Sequence, residues 1–384
     1  MRHAGKPGAE DLAMRFLLWD LPPATTRRHL VERLLVVGGI VGAVTILFLY
    51  DAGFIGPRRL SPSAFVDTFE DANGHNEGFR RNHAKGVGLL GEFQSNGRGA
   101  ALSKATVFAP GSVPVLGRFS FGPGGPHAPD DRGVVRGLGL QFQPATGGEW
   151  RTAMVSLPVF PASTPQTFHD LIVATLPDPS TRHPDPERVQ AFLAQHPDTA
   201  KALQRIKSQP PAAGFEDTIY NSLNAFFFTD ASGRRTPVRW SLVPESSPAV
   251  AGAMPHDTPN FLFDRLIAKE AAHPLRWHLV IVVGQPGDPT DNPTIEWPAD
   301  RERVDVGTLT VNRIESEETS PARDLVFDPL VLPAGIEASD DPVLNARSGV
   351  YAESFRRRAG ESPKASAVTP AEVDVAPGAG GRVP

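Results

Sequence analysis

Residues 34–50 (LLVVGGIVGAVTILFLY) run without a charged side chain. A segment of this kind has few folded homes. At about 1.5 Å per residue against a bilayer core of roughly 30 Å, the run sits at the lower end of a spanning helix. Asp51 stops it, but apolar residues resume through Gly56, so the expected span is 34–55. Arg27, Arg28, His29 and Arg33 lie on its N-terminal side and Asp51 on the other. The positive-inside rule then puts residues 1–33 in the cytoplasm and everything beyond about 55 outside it. A buried core helix is one alternative. A cleaved signal peptide is another, disfavoured because a polar stretch precedes the run. Gly38 and Gly42 form a single G-x-x-x-G, a weak helix-pairing signal. The expectation is an uncleaved, single-pass anchor in the cytoplasmic (inner) membrane.

Residues 51–62 read as a linker, and 359–384 (AGESPKASAVTPAEVDVAPGAGGRVP) as a disordered tail with little to bury. The body is therefore 60–358. With 39 Pro and 36 Gly, the chain favours turns and strands over a helical bundle. Apolar runs at Val87–Phe93 and Ala101–Phe108 flank Ser95-Asn96-Gly97. Gly137–Phe142 and Trp150–Val155 flank Thr146-Gly147-Gly148, and Asn224–Thr229 and Val238–Val243 flank Asp230-Ala231-Ser232-Gly233. Leu275–Val283, nearly all apolar, is expected to be buried on both faces, and Val306–Ile314 is a further strand. So many antiparallel pairs suggest a closed or nearly closed β-barrel. Helix starts follow a capping residue plus Pro at Thr164-Pro165, Asp185-Pro186, Thr258-Pro259 and Asp341-Pro342. The class is α+β.

Several chemistries are excluded. Cysteine is absent, which removes disulfides, Cys-ligated zinc, Cys nucleophiles and covalent haem attachment through C-x-x-C-H. A net charge of −5 argues against a nucleic-acid partner. There is no phosphate-binding G-x-x-x-x-G-K-[ST], no G-x-G-x-x-G between strand and helix, and no H-E-x-x-H. Gly122-Pro123-Gly124-Gly125-Pro126 has prolines where a phosphate cradle needs amides, and Gly117–Gly122 lacks nucleophile-elbow spacing.

Six segments, in chain order, carry a positive signal. Arg80-Arg81-Asn82-His83-Ala84-Lys85-Gly86 contains an H-A-K-G core led by an Arg. Leu102-Ser103-Lys104-Ala105, Arg118-Phe119-Ser120, Val135–Phe142 (VRGLGLQF) and Pro158-Val159-Phe160 follow. Arg347-x-x-x-Tyr351 with Arg358 closes the series. Together they resemble the haem catalase family over residues 80–358, and the short chain is similar to the small catalase-related peroxidases of bacteria.

That resemblance implies non-covalent haem b, an antiparallel barrel core with inserted and C-terminal helices, and a role for each residue. Tyr351 would bind the haem iron as phenolate, a form that a free phenol does not adopt at neutral pH. Arg347, four residues earlier on a helix, would share its face and favour the anion. His83 would move a proton from one peroxide oxygen to the other, and Ser120 would orient its ring. Arg80, Arg118 and Arg358 would pair with haem propionates, and Phe160 would pack at the haem rim. Two departures stand out. Ser156 occupies the position of the distal Asn of large catalases, and Arg81-Asn82 replaces apolar residues before the His. The first puts catalase turnover in doubt, and the second implies a more polar, wider entrance. The expected activity is a haem peroxidase that takes hydrogen or organic peroxides, with a small-molecule electron donor and weak catalase activity. The alternatives are a non-catalytic haem-binding or sensing barrel, which would need neither His83 nor Ser120, and a lipid-hydroperoxide isomerase on the same fold.

Overall fold

The computed structural model describes residues 24–51, 60–132, 135–210, 212–245 and 258–374, in two units that divide between Arg59 and Leu60. The first holds one helix, α1 (Ala24–Asp51), in which Val31–Leu49 is long and apolar enough to cross a membrane, with mean hydropathy 2.0. The helix begins at Ala24, ahead of the expected Leu34, because Arg28 donates to Glu32 one turn on at 3.1 Å and the flanking residues are good helix formers. Residues 52–55 of the expected span lie outside the described residues.

The second unit is built on ten strands: β1 (Gly86–Ser95), β2 (Gly111–Phe121), β3 (Arg136–Phe142), β4 (Trp150–Val155), β5 (Tyr220–Asn221), β6 (Phe226–Thr229), β7 (Arg235–Pro244), β8 (Leu275–Val283), β9 (Arg303–Glu315) and β10 (Ile336–Ala338). Among the described residues eight of them close a circuit, β1-β2-β3-β4-β5-β7-β8-β9 and back to β1, through antiparallel pairs. Strands β6 and β10 extend from β7. Closure leaves the barrel strands no free edge.

Strand alternation sorts the side chains. Val87, Leu89, Phe119, Leu138, Leu140, Trp150 and Trp240 are buried in the core, where each large apolar side chain contributes roughly 1.5–3 kcal/mol. Phe142 stacks on Trp150 at 4.8 Å, and Trp240 donates its indole N–H to Thr152 at 3.0 Å, so its polar atom is satisfied inside. The opposite parity faces out. In register, Gly86, Ser120, Gly137 and Val155 form one cross-strand row, and Gly88, Arg118, Gly139 and Ala153 the next. These rows of mostly small residues are the platform of the site.

Helices cover this barrel: α2 (Pro62–Asn73), α3 (Pro165–Ala174), α4 (Pro186–Gln195), α5 (Pro197–Lys207), α6 (Phe261–Ala272), α7 (Pro342–Ala359) and the short α8 (Pro370–Asp374). Thr164, Asp185 and Asp341 cap α3, α4 and α7 as their Pro-led starts predict.

Four expectations need correction. Ala101–Phe108 is not a strand: a 3-10 turn, Arg98–Ala101, ends at its start and a second, Thr106–Phe108, closes it. Its backbone turns to other partners, with Lys104 donating to Thr229 O at 2.9 Å, and the strand that pairs with β1 starts only after Pro110. Strand β8 is buried on alternate residues, with Arg276 exposed, because only its inner face meets the core. Helix α6 begins at Phe261, not Pro259, since Asp130 accepts the Leu262 and Phe263 amides from across the chain. The chain after Ala359 is packed as far as Asp374: Glu361 pairs with Arg81, Val368 is fully buried, and Ser316 donates to the Val368 carbonyl at 2.7 Å. A few specific anchors outweigh the low-complexity composition there. Residues 375–384 of the expected tail lie outside the described residues.

Candidate active site

Between the outer face of β2–β4 and helix α7 lies a cavity of about 700 Å³. Its volume falls in the range of cofactor and ligand pockets. All eight residues singled out from the sequence line it: Arg80, His83, Arg118, Ser120, Phe160, Arg347, Tyr351 and Arg358. Phe65, Phe69, Phe168, Leu171 and Ile172, from α2 and α3, give the cavity an apolar flank.

His83 precedes β1 with φ at 57°, a left-handed conformation unusual for a residue with a side chain. Such strain persists only where neighbours hold it. Here the His83 amide donates to Gly122 O at 3.3 Å and to Asn82 Oδ1 at 3.1 Å. His83 Nδ1 and Ser120 Oγ share a hydrogen bond of 3.0 Å. Beneath this pair is Gly137, where an added Cβ would stand 2.8 Å from the imidazole and from Ser120 Oγ. Only a glycine lets the ring lie this close to the strand. Burial, then the guanidiniums of Arg118, Arg347 and Arg80, hold the His83 pKa down to about 3. The imidazole is therefore neutral across the physiological range.

The second cluster rises from α7. Arg347 Nη2 donates to the Tyr351 phenolic oxygen at 2.9 Å and to Ala153 O at 3.1 Å. Its Nη1 donates to Asn224 Oδ1 at 2.8 Å, and Asn224 Nδ2 donates to Asp341 Oδ2 at 2.7 Å. The helix cap Asp341 thus fixes, through Asn224, the guanidinium that meets the phenol. Asn224 and Asp341 escaped the sequence reading of the site. They are far from Arg347 in sequence or known only as a cap, and no local spacing marks the chain of bonds.

The third cluster is cationic. Arg80, Arg118 and Arg358 converge around Glu317, which was also missed. Burial would raise the Glu317 carboxyl, but Arg118, Arg80 and Arg358 together hold it below its ordinary value. Burial and the adjacent guanidiniums lower Arg80 and Arg358. Arg358 is 8 % exposed and lines the cavity, and it donates no hydrogen bond among the described residues.

These features fit haem. Arg358 is a nearly buried guanidinium near Glu317 whose nitrogens donate no hydrogen bond among the described residues, which suits it to a propionate. Gly137 and Gly139 keep the platform flat enough for a planar macrocycle, with Phe327 packed over Gly139. Tyr351 offers the oxygen donor and His83 the basic group. Ser156 is not among the residues that line the cavity, and its hydroxyl accepts the Arg136 amide at 3.0 Å.

The comparisons agree with this geometry. The catalase family's sequence profile matches residues 49–377. The chain is 39 % identical to the catalase-related peroxidase of Synechococcus elongatus over 304 residues, which covers 78 % of this chain and 89 % of that protein. It is 32 % identical to the catalase-related peroxidase of Mycolicibacterium paratuberculosis over 304 residues, 78 % of this chain and 96 % of that one. A fungal catalase crystal structure superposes with a TM-score of 0.65 at 20 % identity, over 83 % of this chain and 67 % of the other, a likeness of fold.

Proposed function

The chain belongs to the catalase family, and from that premise we propose that it is a haem b peroxidase that reduces hydrogen peroxide or organic hydroperoxides with a small-molecule electron donor. The observation that carries this reading is the convergence of His83–Ser120, Arg347–Tyr351 and the arginine cluster on one cavity. The overall change is ROOH plus two electrons and two protons to ROH and water. Haem, held by these residues, would supply redox-active iron for O–O cleavage.

The protein's part is positioning and proton transfer. Neutral His83 takes the proton from the hydroperoxide and returns it to the departing oxygen, so that water or alcohol leaves rather than a high-energy anion. Ser120 and the Gly137 platform keep the ring at one angle. Arg347, locked by Asn224 and Asp341, would hold the Tyr351 phenolic oxygen in place as the iron's ligand. Arg358, with Arg80 and Arg118, would hold the propionates, and Phe160 would pack at the rim. The apolar flank of the cavity suits organic hydroperoxides, and the missing distal amide leaves catalase turnover weak.

We place this domain outside the cytoplasm, held by α1 as a single-pass anchor in the inner membrane. The support is the apolar window Val31–Leu49 with basic residues on its N-terminal side. Protease added to intact spheroplasts should then digest the domain.

The test of activity uses the full-length protein loaded with hemin, assayed for dye oxidation and for oxygen release. Wild type should oxidise dye with either peroxide and release little oxygen, while His83→Ala should lose the dye activity with haem still bound. A fully active His83→Ala enzyme would remove the proton-transfer role.

A further inference from the structure

The arginine cluster holds more than the sequence pattern accounts for. Glu317 sits at its centre, 8 % exposed at the side chain. Arg118 grips it with two bonds, Nε to Oε1 at 2.7 Å and Nη2 to Oε2 at 2.9 Å, and Arg80 Nη1 adds a third at 2.8 Å. The other arm of Arg80, Nη2, is fixed by the carbonyls of Ala322, Arg323 and Leu325 at 2.9 to 3.1 Å. Both guanidiniums are therefore in place before any ligand arrives. Among the described residues Arg118 Nη1, Arg80 Nε and the Arg358 side chain donate no hydrogen bond, and all three residues line the cavity.

Charge arithmetic gives the cluster a specific appetite. Asp324 and Arg323 also act on Arg358 and cancel, so the three guanidiniums and one carboxylate leave two positive charges, in a site where burial makes each unbalanced charge costly. We propose that Glu317 is a positioning residue of the cofactor pocket, which orders Arg80 and Arg118 and sets the pocket's charge to match a ligand with two carboxylates. This rests on the haem-peroxidase reading and adds to it a residue that recognises the two propionates of protoporphyrin through the arginines it holds. Without Glu317 the empty pocket would contain three mutually repelling cations, and a dianion would offset most of that penalty. A ligand without carboxylates would not.

The experiment compares hemin with hemin dimethyl ester on the detergent-solubilised full-length chain, reading porphyrin uptake by absorbance and thermal stability by unfolding. Wild type should bind hemin about tenfold or more tighter than the ester, because ionic hydrogen bonds to buried guanidiniums are lost with the ester. Glu317→Gln should lower the Tm of the empty protein, and hemin but not the ester should close the gap to wild type. Glu317→Asp, which keeps the charge, should fall closer to wild type. A merely structural glutamate would lower Tm equally in the empty, hemin-bound and ester-bound forms, and that result would overturn the assignment. If the empty Glu317→Gln chain cannot be isolated, refolding it with each porphyrin replaces the melt. Recovery with hemin alone supports the assignment, and recovery with both or neither overturns it. A wild-type chain that takes up neither porphyrin would sink the haem reading itself. One that takes up both equally would leave haem binding standing and remove the charge-matching role.

Discussion

Gly137→Ala tests the active-site platform with a single methyl group. The new Cβ would lie 2.8 Å from His83 Cε1, His83 Nδ1 and Ser120 Oγ. Carbon contacts settle near 3.5–4.0 Å, so the imidazole and hydroxyl must retreat by about 1 Å. The strand itself need not object, because Gly137 has no positive φ and alanine is no worse a strand residue. His83 has little room to yield, with its backbone already in a left-handed conformation and pinned by two hydrogen bonds. A displacement of that size in a proton-transfer group costs about a hundredfold in turnover. Steady-state dye oxidation by the hemin-loaded variant, normalised to its haem content, reads the effect. The expected result is normal folding, near-normal haem content and turnover down by about two orders of magnitude. Full turnover per haem would refute the claim that the ring's position on this platform matters.

Other consequences follow from the same geometry. His83 is held at a pKa of about 3, below the 6.5 of the unfolded chain, so the unfolded state binds the extra proton first as pH falls. Stability from this group is complete above pH 6.5 and is lost on descent towards pH 3; thermal melts should show wild type losing more between pH 7 and 4 than His83→Gln. Asn224→Ala leaves Arg347 Nη1 and Asp341 Oδ2 short of a partner, and should cost about 1–3 kcal/mol in urea unfolding and weaken hemin uptake. Val368→Asp puts a carboxylate at a fully buried site and should destabilise the barrel unit by several kcal/mol, on the order of 3; an unchanged urea midpoint would show that the segment after Ala359 does not pack as described.

The sequence exposed those parts of the molecule whose determinants are local. His83, Tyr351 and their arginines sit in short motifs, and Thr164, Asp185 and Asp341 announce helix starts through the proline beside them. Turn pairs located most of the barrel strands. What stayed hidden depends on contacts between distant residues. Ala101–Phe108 has a strand's composition, yet its Lys104 amide leads to Thr229 and its Ser103 hydroxyl to Gly335, and no ladder joins it to β1. The segment after Ala359 reads as a tail because one buried valine and two glutamates are invisible against the prolines and alanines around them. Glu317 and Asn224 belong to the site only because the fold brings the turn after β9 and the β5–β6 connection against Arg80, Arg118 and Arg347. Gly137 looked like a motif letter; its role is a clearance, which appears only when the ring above it is in place.

The account stands most directly on Tyr351 as the iron ligand. Resonance Raman spectra of the hemin-loaded full-length protein, excited in the phenolate-to-iron charge-transfer region, should show phenolate ring modes in wild type and lose them in Tyr351→Phe. Identical spectra from the two proteins, with haem bound in both, would contradict it.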